Sequence, residues 1–142
     1  MLYAVIDTNV LVSALLKMDS NPGKVLSSIV NGETFIFVNE EILLEYKKVL
    51  SRDRFHFPPQ MIEDILRQLE YKSKFTSIES KEYLEVNDPK DRCFYAVTLS
   101  GRESVDALLV TGNIRHFPEE QFIVTPSQFV NILEVERNKQ LE

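Results

Sequence analysis

The chain reads as an α/β fold of three layers, with helices on both faces of a central, mainly parallel sheet of about five strands. Short apolar, β-branched runs alternate with helix-length amphipathic segments from one end to the other, the pattern of strands joined by crossover helices. The first strand-like run, Tyr3-Ala-Val-Ile-Asp7, carries an acid to its carboxyl end just before a new apolar stretch begins. Ligands of open α/β sheets collect at that edge, so Asp7 is predicted to stand in a crevice and not in the core.

Tyr3 to Asp7 forms the first strand and Val10 to Leu16 a short helical run. Pro22 suits the first turn of the next helix, whose Val25, Leu26, Ile29 and Val30 fall at helical spacing before Asn31-Gly32 closes it. Thr34 to Val38 is β-branched and aromatic, hence a strand, and Asn39 caps a helix that runs to about Leu50. Pro58-Pro59 precede a long amphipathic helix with Ile62, Ile65, Leu66 and Leu69. Phe75 to Ile78 is a weaker strand whose polar character suits a sheet edge. Asp88-Pro89 starts a helix ending near Ser100-Gly101, and Gly101 to Asp106 is a surface loop. Ala107 to Thr111 is the most apolar late strand, broken by Gly112-Asn113, and Phe122 to Val124 is a fifth. Pro126 opens a last helix through Phe129, Val130 and Leu133 into a charged tail, expected to be mobile from about residue 137. With no repeat, low-complexity tract or internal linker, residues 1–142 are expected to form one domain.

With 44% apolar residues in 142, a real core is available. No apolar stretch is long enough to span a bilayer and no cleavable leader precedes the first strand, so a cytoplasmic location is expected. Cys93 lies on an apolar helix and reads as a buried small hydrophobe. A net charge of −6 disfavours general nucleic-acid binding, so a local basic patch must supply any phosphate contact. Lys47, Lys48, Arg52 and Arg54, clustered around the end of one helix, are that patch, predicted to border the cleft; the same charges also suit the helix dipole.

Two further acids keep company with Asp7. In the helix after Asn39, the residues Ile42, Leu43, Tyr46, Val49 and Leu50 make one apolar arc, and Glu45 lies just beside it. Glu40 and Glu41 lie farther round in the first turn, where they favour the dipole and face water. In Asp88-Pro89-Lys90-Asp91, Asp88 is a good N-cap and Asp91 can complete a capping-box-like exchange, yet a helix start aimed at the sheet edge also brings Asp91 to the crevice. Asp-Thr-Asn at positions 7–9 is likewise turn and cap material. Thr111, Asn113 and His116 add polar groups at the same edge, although a lone His beside Phe117-Pro118 also reads as a surface or packing residue. Clustered carboxylates suit hard divalent cations such as Mg²⁺ or Mn²⁺, which serve phosphodiester chemistry. No Walker loop, no G-x-G-x-x-G and no Cys/His cluster is present, and no Asp follows two residues after Asp7, which argues against an aspartyl-phosphate phosphatase.

Nearly the whole chain resembles the PIN domain ribonucleases, and within them the PIN-family toxins of toxin–antitoxin systems. The resemblance is carried by Val-Ile-Asp7-Thr8-Asn9-Val, by Glu-Ile-Leu-Leu-Glu45-Tyr-Lys-Lys-Val-Leu, by Asn-Asp88-Pro-Lys-Asp91-Arg-Cys-Phe-Tyr-Ala and by Leu-Leu-Val-Thr111-Gly112-Asn113, in that order and spacing. It implies a strand order of 3-2-1-4-5 and divalent-metal-dependent endonucleolytic cleavage of single-stranded RNA. It also implies Asp7, Glu45 and Asp91 as catalytic metal ligands, Thr8 and Asn9 as their support, and an antitoxin protein or a second copy of the chain as partner. Asp88 and Asn113 are further candidate ligands. The match departs after the late strand, where the family usually has a fourth acid and this chain offers Asn113 and His116. Asn113 brings an oxygen without charge, so one Mg²⁺ or Mn²⁺ is expected and catalysis is slow or lost. Asn113→Asp, or His116→Asp if that is the true position, is then expected to tighten Mn²⁺ binding. The alternative is a weak or inactive PIN-like domain that binds RNA or a protein partner.

Overall fold

A computed structural model describes residues 1–75 and 85–141. Strands β1 (Leu2–Ile6), β2 (Thr34–Val38), β3 (Ser73–Phe75), β4 (Leu108–Val110) and β5 (Ile123–Val124) form one sheet in the order β3-β2-β1-β4-β5. Every pairing is parallel, with Ala4 opposite Ile36 on one side and Leu108 on the other. This is the topology that the family resemblance implied. The helices are α1 (Thr8–Leu16), α2 (Asn21–Val30), α3 (Glu40–Leu50), α4 (Pro59–Tyr71), α5 (Pro89–Gly101) and α6 (Pro126–Gln140).

Strand order reverses at β1: the chain moves outward through β2 to β3, then crosses back to β4 and β5. With right-handed crossovers, the helices of the two halves flank opposite faces of the sheet and leave a crevice beyond the carboxyl end of β1. Ala4, Val5 and Ile6 are all buried, as a central strand covered on both faces requires.

The local chemistry of each start and stop matches its element. Ser20, Asn39 and Asp88 cap α2, α3 and α5 through their side chains, and Thr125 with Gln128 forms a capping box at α6. Gly23, in the first turn of α2, admits no side chain, because a Cβ there would lie 1.9 Å from the Met18 carbonyl oxygen. Cys93 is buried and its thiol is pushed up to about 12, chiefly by burial and then by Glu41 and Glu45, so it packs as a hydrophobe.

The ends of β1, α1, β4 and β5 differ from the sequence reading by one or two residues, and two other boundaries differ in kind. The edge strand starts at Ser73, because Ser73 to Phe75 pair with Ile36 to Val38; of the expected Phe75 to Ile78, residues 76–78 lie outside the described residues. The charged tail expected from residue 137 is the last turn of α6, where Arg137 Nη2 donates to Glu33 Oε1 at 2.8 Å and ties the helix to the turn after α2. No helix among the described residues is long and apolar enough to cross a membrane.

Candidate active site at the carboxyl edge of the sheet

Asp7 reaches the edge because α1 begins directly after β1. It holds the N-cap position of α1 with extended backbone, yet its carboxylate makes no cap hydrogen bond. Instead Asp7 Oδ2 accepts from the buried hydroxyl of Thr111 at 2.7 Å, while the Asp7 N–H donates to the Val110 carbonyl at 2.9 Å. Asp7 is only 5% exposed. Burial pushes its carboxyl above the ordinary range, the Thr111 and Thr8 hydrogen bonds and His116 oppose this, and Glu45 adds to it. Thr8 Oγ1, beside it, is buried with no hydrogen-bond partner.

Glu45 is positioned by the residue that follows it. Tyr46 is buried, and its hydroxyl donates to the carbonyl of Ile6, the residue before Asp7. That bond, with Ile42, Val49 and Leu50 buried on the same side, fixes α3 over the end of β1 and leaves Glu45 half-buried at the crevice. The Phe94 ring, 6.2 Å from that of Tyr46, brings α5 against α3.

At the start of α5, Asp88 Oδ1 accepts from the Lys90 N–H at 3.0 Å, as its cap role predicts. The capping-box exchange expected of Asp91 does not form: its carboxylate turns into the crevice, its side chain 15% exposed and Oδ2 buried without a hydrogen-bond partner. His116 Nδ1 stands 3.4 Å from that oxygen, near enough for charge interaction but outside hydrogen-bond geometry. Burial, then Asp7 and Asp88, raise the Asp91 carboxyl to about 6, with His116 opposing.

Asp7, Glu45 and Asp91 thus line one cleft of about 160 Å³ with Thr8, Asn9 and His116, while Asp88, Arg52 and Lys90 also reach its wall. Of the expected basic patch, Arg52 alone lines it. Lys47 lines a neighbouring groove, and Arg54 lies over the Phe55 ring at 4.8 Å. Lys48, exposed on α3, lines neither cavity. Asn113 does not line the cleft: its backbone N–H donates to Thr111 Oγ1 at 3.0 Å, and the tight turn Ile114–His116 carries His116 to the acids in its place. Lys90, outside the basic patch expected from the sequence, also lines the cleft, and its place next to Asp91 at a helix start is the sequence signal for it. Asp106 is exposed in the loop before β4, the surface loop expected from the sequence, and does not line the cleft.

A family model for the PIN domain matches residues 3–115, the span that holds all three acids. The chain belongs to the PIN domain family. No curated protein matches it. PIN domains are generally nucleases and typically use divalent metals. His116 lies one residue beyond the matched span. Among the described residues of this PIN domain, no three His, Cys, Asp or Glu side chains stand at ligand spacing. The donor chemistry nevertheless fits a hard cation. The candidates are all oxygen donors, one is a buried carboxylate oxygen without a hydrogen-bond partner, and Mg²⁺ or Mn²⁺ retains waters that complete its shell.

Thr111, directly after the neighbouring strand β4, holds the Asp7 carboxylate in place. Thr111→Val, nearly isosteric, is expected to cost about 1–3 kcal/mol at neutral pH and to raise the Asp7 pKa further. Urea unfolding checks the first and NMR titration of the Asp7 carboxyl the second; an unchanged titration would show that the hydroxyl does not tune the acid.

Proposed function

We propose that this PIN domain is a divalent-metal-dependent endoribonuclease acting on single-stranded RNA. The observation that carries the proposal is the meeting of Asp7, Glu45 and Asp91, from three separate elements, in one cleft where a buried carboxylate oxygen of Asp91 has no hydrogen-bond partner. Asp7, Glu45 and Asp91 are the residues to hold Mg²⁺ or Mn²⁺, with Asp88 as cap and reserve ligand and Thr8 and Asn9 in support. Such an ion, when bound, supplies an activated water and charge stabilisation for phosphodiester hydrolysis. The chain itself orients the acids: Thr111 fixes Asp7, Tyr46 fixes the helix bearing Glu45, and the Asp88 cap fixes the turn bearing Asp91. Arg52 and Lys90 supply positive charge to the cleft for substrate phosphates. Mn²⁺ titration together with cleavage of a labelled single-stranded RNA tests the reading. Metal-dependent cutting is expected, and the absence of both Mn²⁺ binding and cutting refutes the reading.

The role of toxin paired with an antitoxin protein, in the cytoplasm, belongs to the same proposal and rests on the resemblance of the acid-bearing segments. Co-purification with the product of a neighbouring gene tests it. A noncatalytic RNA- or protein-binding domain is the second reading, favoured by the absence of a three-ligand group among the described residues and by His116 beside Asp91.

His116 separates the two readings. Since His116, and not Asn113, lines the cleft, His116→Asp is expected to tighten Mn²⁺ binding about tenfold and Asn113→Asp to change it little. Calorimetric titration of both variants is the check. For RNA, neutralising Lys47 and Arg52 together is expected to reduce the slope of log Kd against log salt by about 1.4, near 0.7 per phosphate contact on a single strand. An unchanged slope would leave these residues as solvated helix-end charges.

A further inference from the structure

Beside the acid cleft a larger groove of about 670 Å³ opens between the end of α3 and the start of α4, and Arg52 lines both. At about 160 Å³ the cleft is smaller than the roughly 300–1,000 Å³ of pockets that enclose a small molecule, so a polynucleotide cut there must continue outside it. The groove has two kinds of wall. On the α3 side stand the exposed cations Lys47 and Arg52; the chain between the helices contributes Phe57 and Pro58. Asp53 and Glu63 also line the groove, which confines its cationic character to the α3 side. Phe57 is half-buried and stacked on Phe55, ring centroids 5.6 Å apart at 18°, so the plane of its ring is fixed in advance. His56, before it, holds a left-handed backbone at φ 54°, a costly conformation for a non-glycine residue that concentrates at ligand-contacting turns.

We infer that this groove is a nucleotide subsite for the RNA strand cut at the acid cleft. One base lies against Phe57, and the phosphates leading to the cleft lie along Lys47 and Arg52. The inference rests on the nuclease reading and adds to it the path of the strand. A prearranged aromatic ring takes any base by stacking, and flexible cations beside it take the backbone, so the subsite favours single strands without fixing sequence.

Fluorescence anisotropy of a labelled ten-nucleotide single-stranded RNA in EDTA measures binding, with Mn²⁺-dependent cleavage of the same RNA followed in parallel. Phe57→Leu and Lys47→Gln are each expected to raise Kd about fivefold or more. RNA carrying 4-thiouridine is expected to crosslink to the segment 55–59 of the unaltered protein, which tests the ring even if Phe57→Leu folds poorly. Unchanged Kd in Lys47→Gln, or crosslinks confined to other segments, overturns the subsite while cleavage by the unaltered protein keeps the nuclease reading. Absence of both binding and cleavage in the unaltered protein overturns both.

Discussion

Asp7→Asn, Glu45→Gln and Asp91→Asn are each expected to lower Mn²⁺-dependent RNA cleavage at least about a hundredfold while the protein stays folded. The three side chains come from the end of β1, the middle of α3 and the first turn of α5, and they line a cleft too small for one to substitute for another. Each substitution keeps shape and removes only charge, so the loss should fall on metal affinity before anything else. Circular dichroism and Mn²⁺ calorimetry on the three variants, beside the cleavage assay, make the comparison; retained affinity in all three defeats the assignment of these acids as ligands.

The second large effect is on pH. Holding a divalent cation requires ionised carboxylates, and the cleft raises two of them, Asp91 to about 6 and Asp7 in the same direction. At Mn²⁺ concentrations too low to saturate the site, metal-dependent cleavage is therefore expected to fall by about tenfold per pH unit below 6, and more steeply where both acids protonate. Metal-free stability should move the opposite way. Between the ordinary value of 3.8 and about 6 the native Asp91 binds its proton more tightly than the unfolded chain does. Stability from this group is thus fully present below 3.8 and is lost as pH rises through about 6. Asp91→Asn removes that loss and should stabilise the metal-free protein at pH 7 by on the order of 1–2 kcal/mol, after discounting for water that reaches the cleft. Thermal unfolding in EDTA at pH 5 and pH 7 reads this directly; a variant no more stable than the parent at pH 7 would mean that burial and the neighbouring acids do not penalise the ionised Asp91.

The amino-acid sequence by itself determined the elements and the fold class, because both rest on local signals. Period and composition mark β1, β2 and the helices; Asn39 and Asp88 sit where helix starts leave N–H groups unsatisfied, and Pro22 and Pro126 fall in the first turns of α2 and α6. The strand order came from the family resemblance, and the sheet has it. Local signals also named Asp7, Glu45 and Asp91 as an acid ending a strand, an acid bordering an apolar arc and an acid in a helix's first turn. They could not tell a cap from a cleft residue. Asp7 is the N-cap of α1 and Asp91 lies in the first turn of α5, and only the partner that each side chain finds decides its role: Thr111, 104 residues away, for Asp7, and no hydrogen-bond partner for Asp91 Oδ2. The same holds at the fourth position. Asn113 and His116 are three residues apart, but the tight turn between them binds Asn113 through its backbone and directs His116 to Asp91. Likewise the four basic residues around the end of α3 lie close in sequence, yet helical rotation and the following turn send them to different places, Arg52 to the wall between cleft and groove and Lys47 to the groove alone. Sequence spacing sets which residues are near; the direction of a side chain is set by contacts with distant elements, and the chemistry of this edge depends on direction.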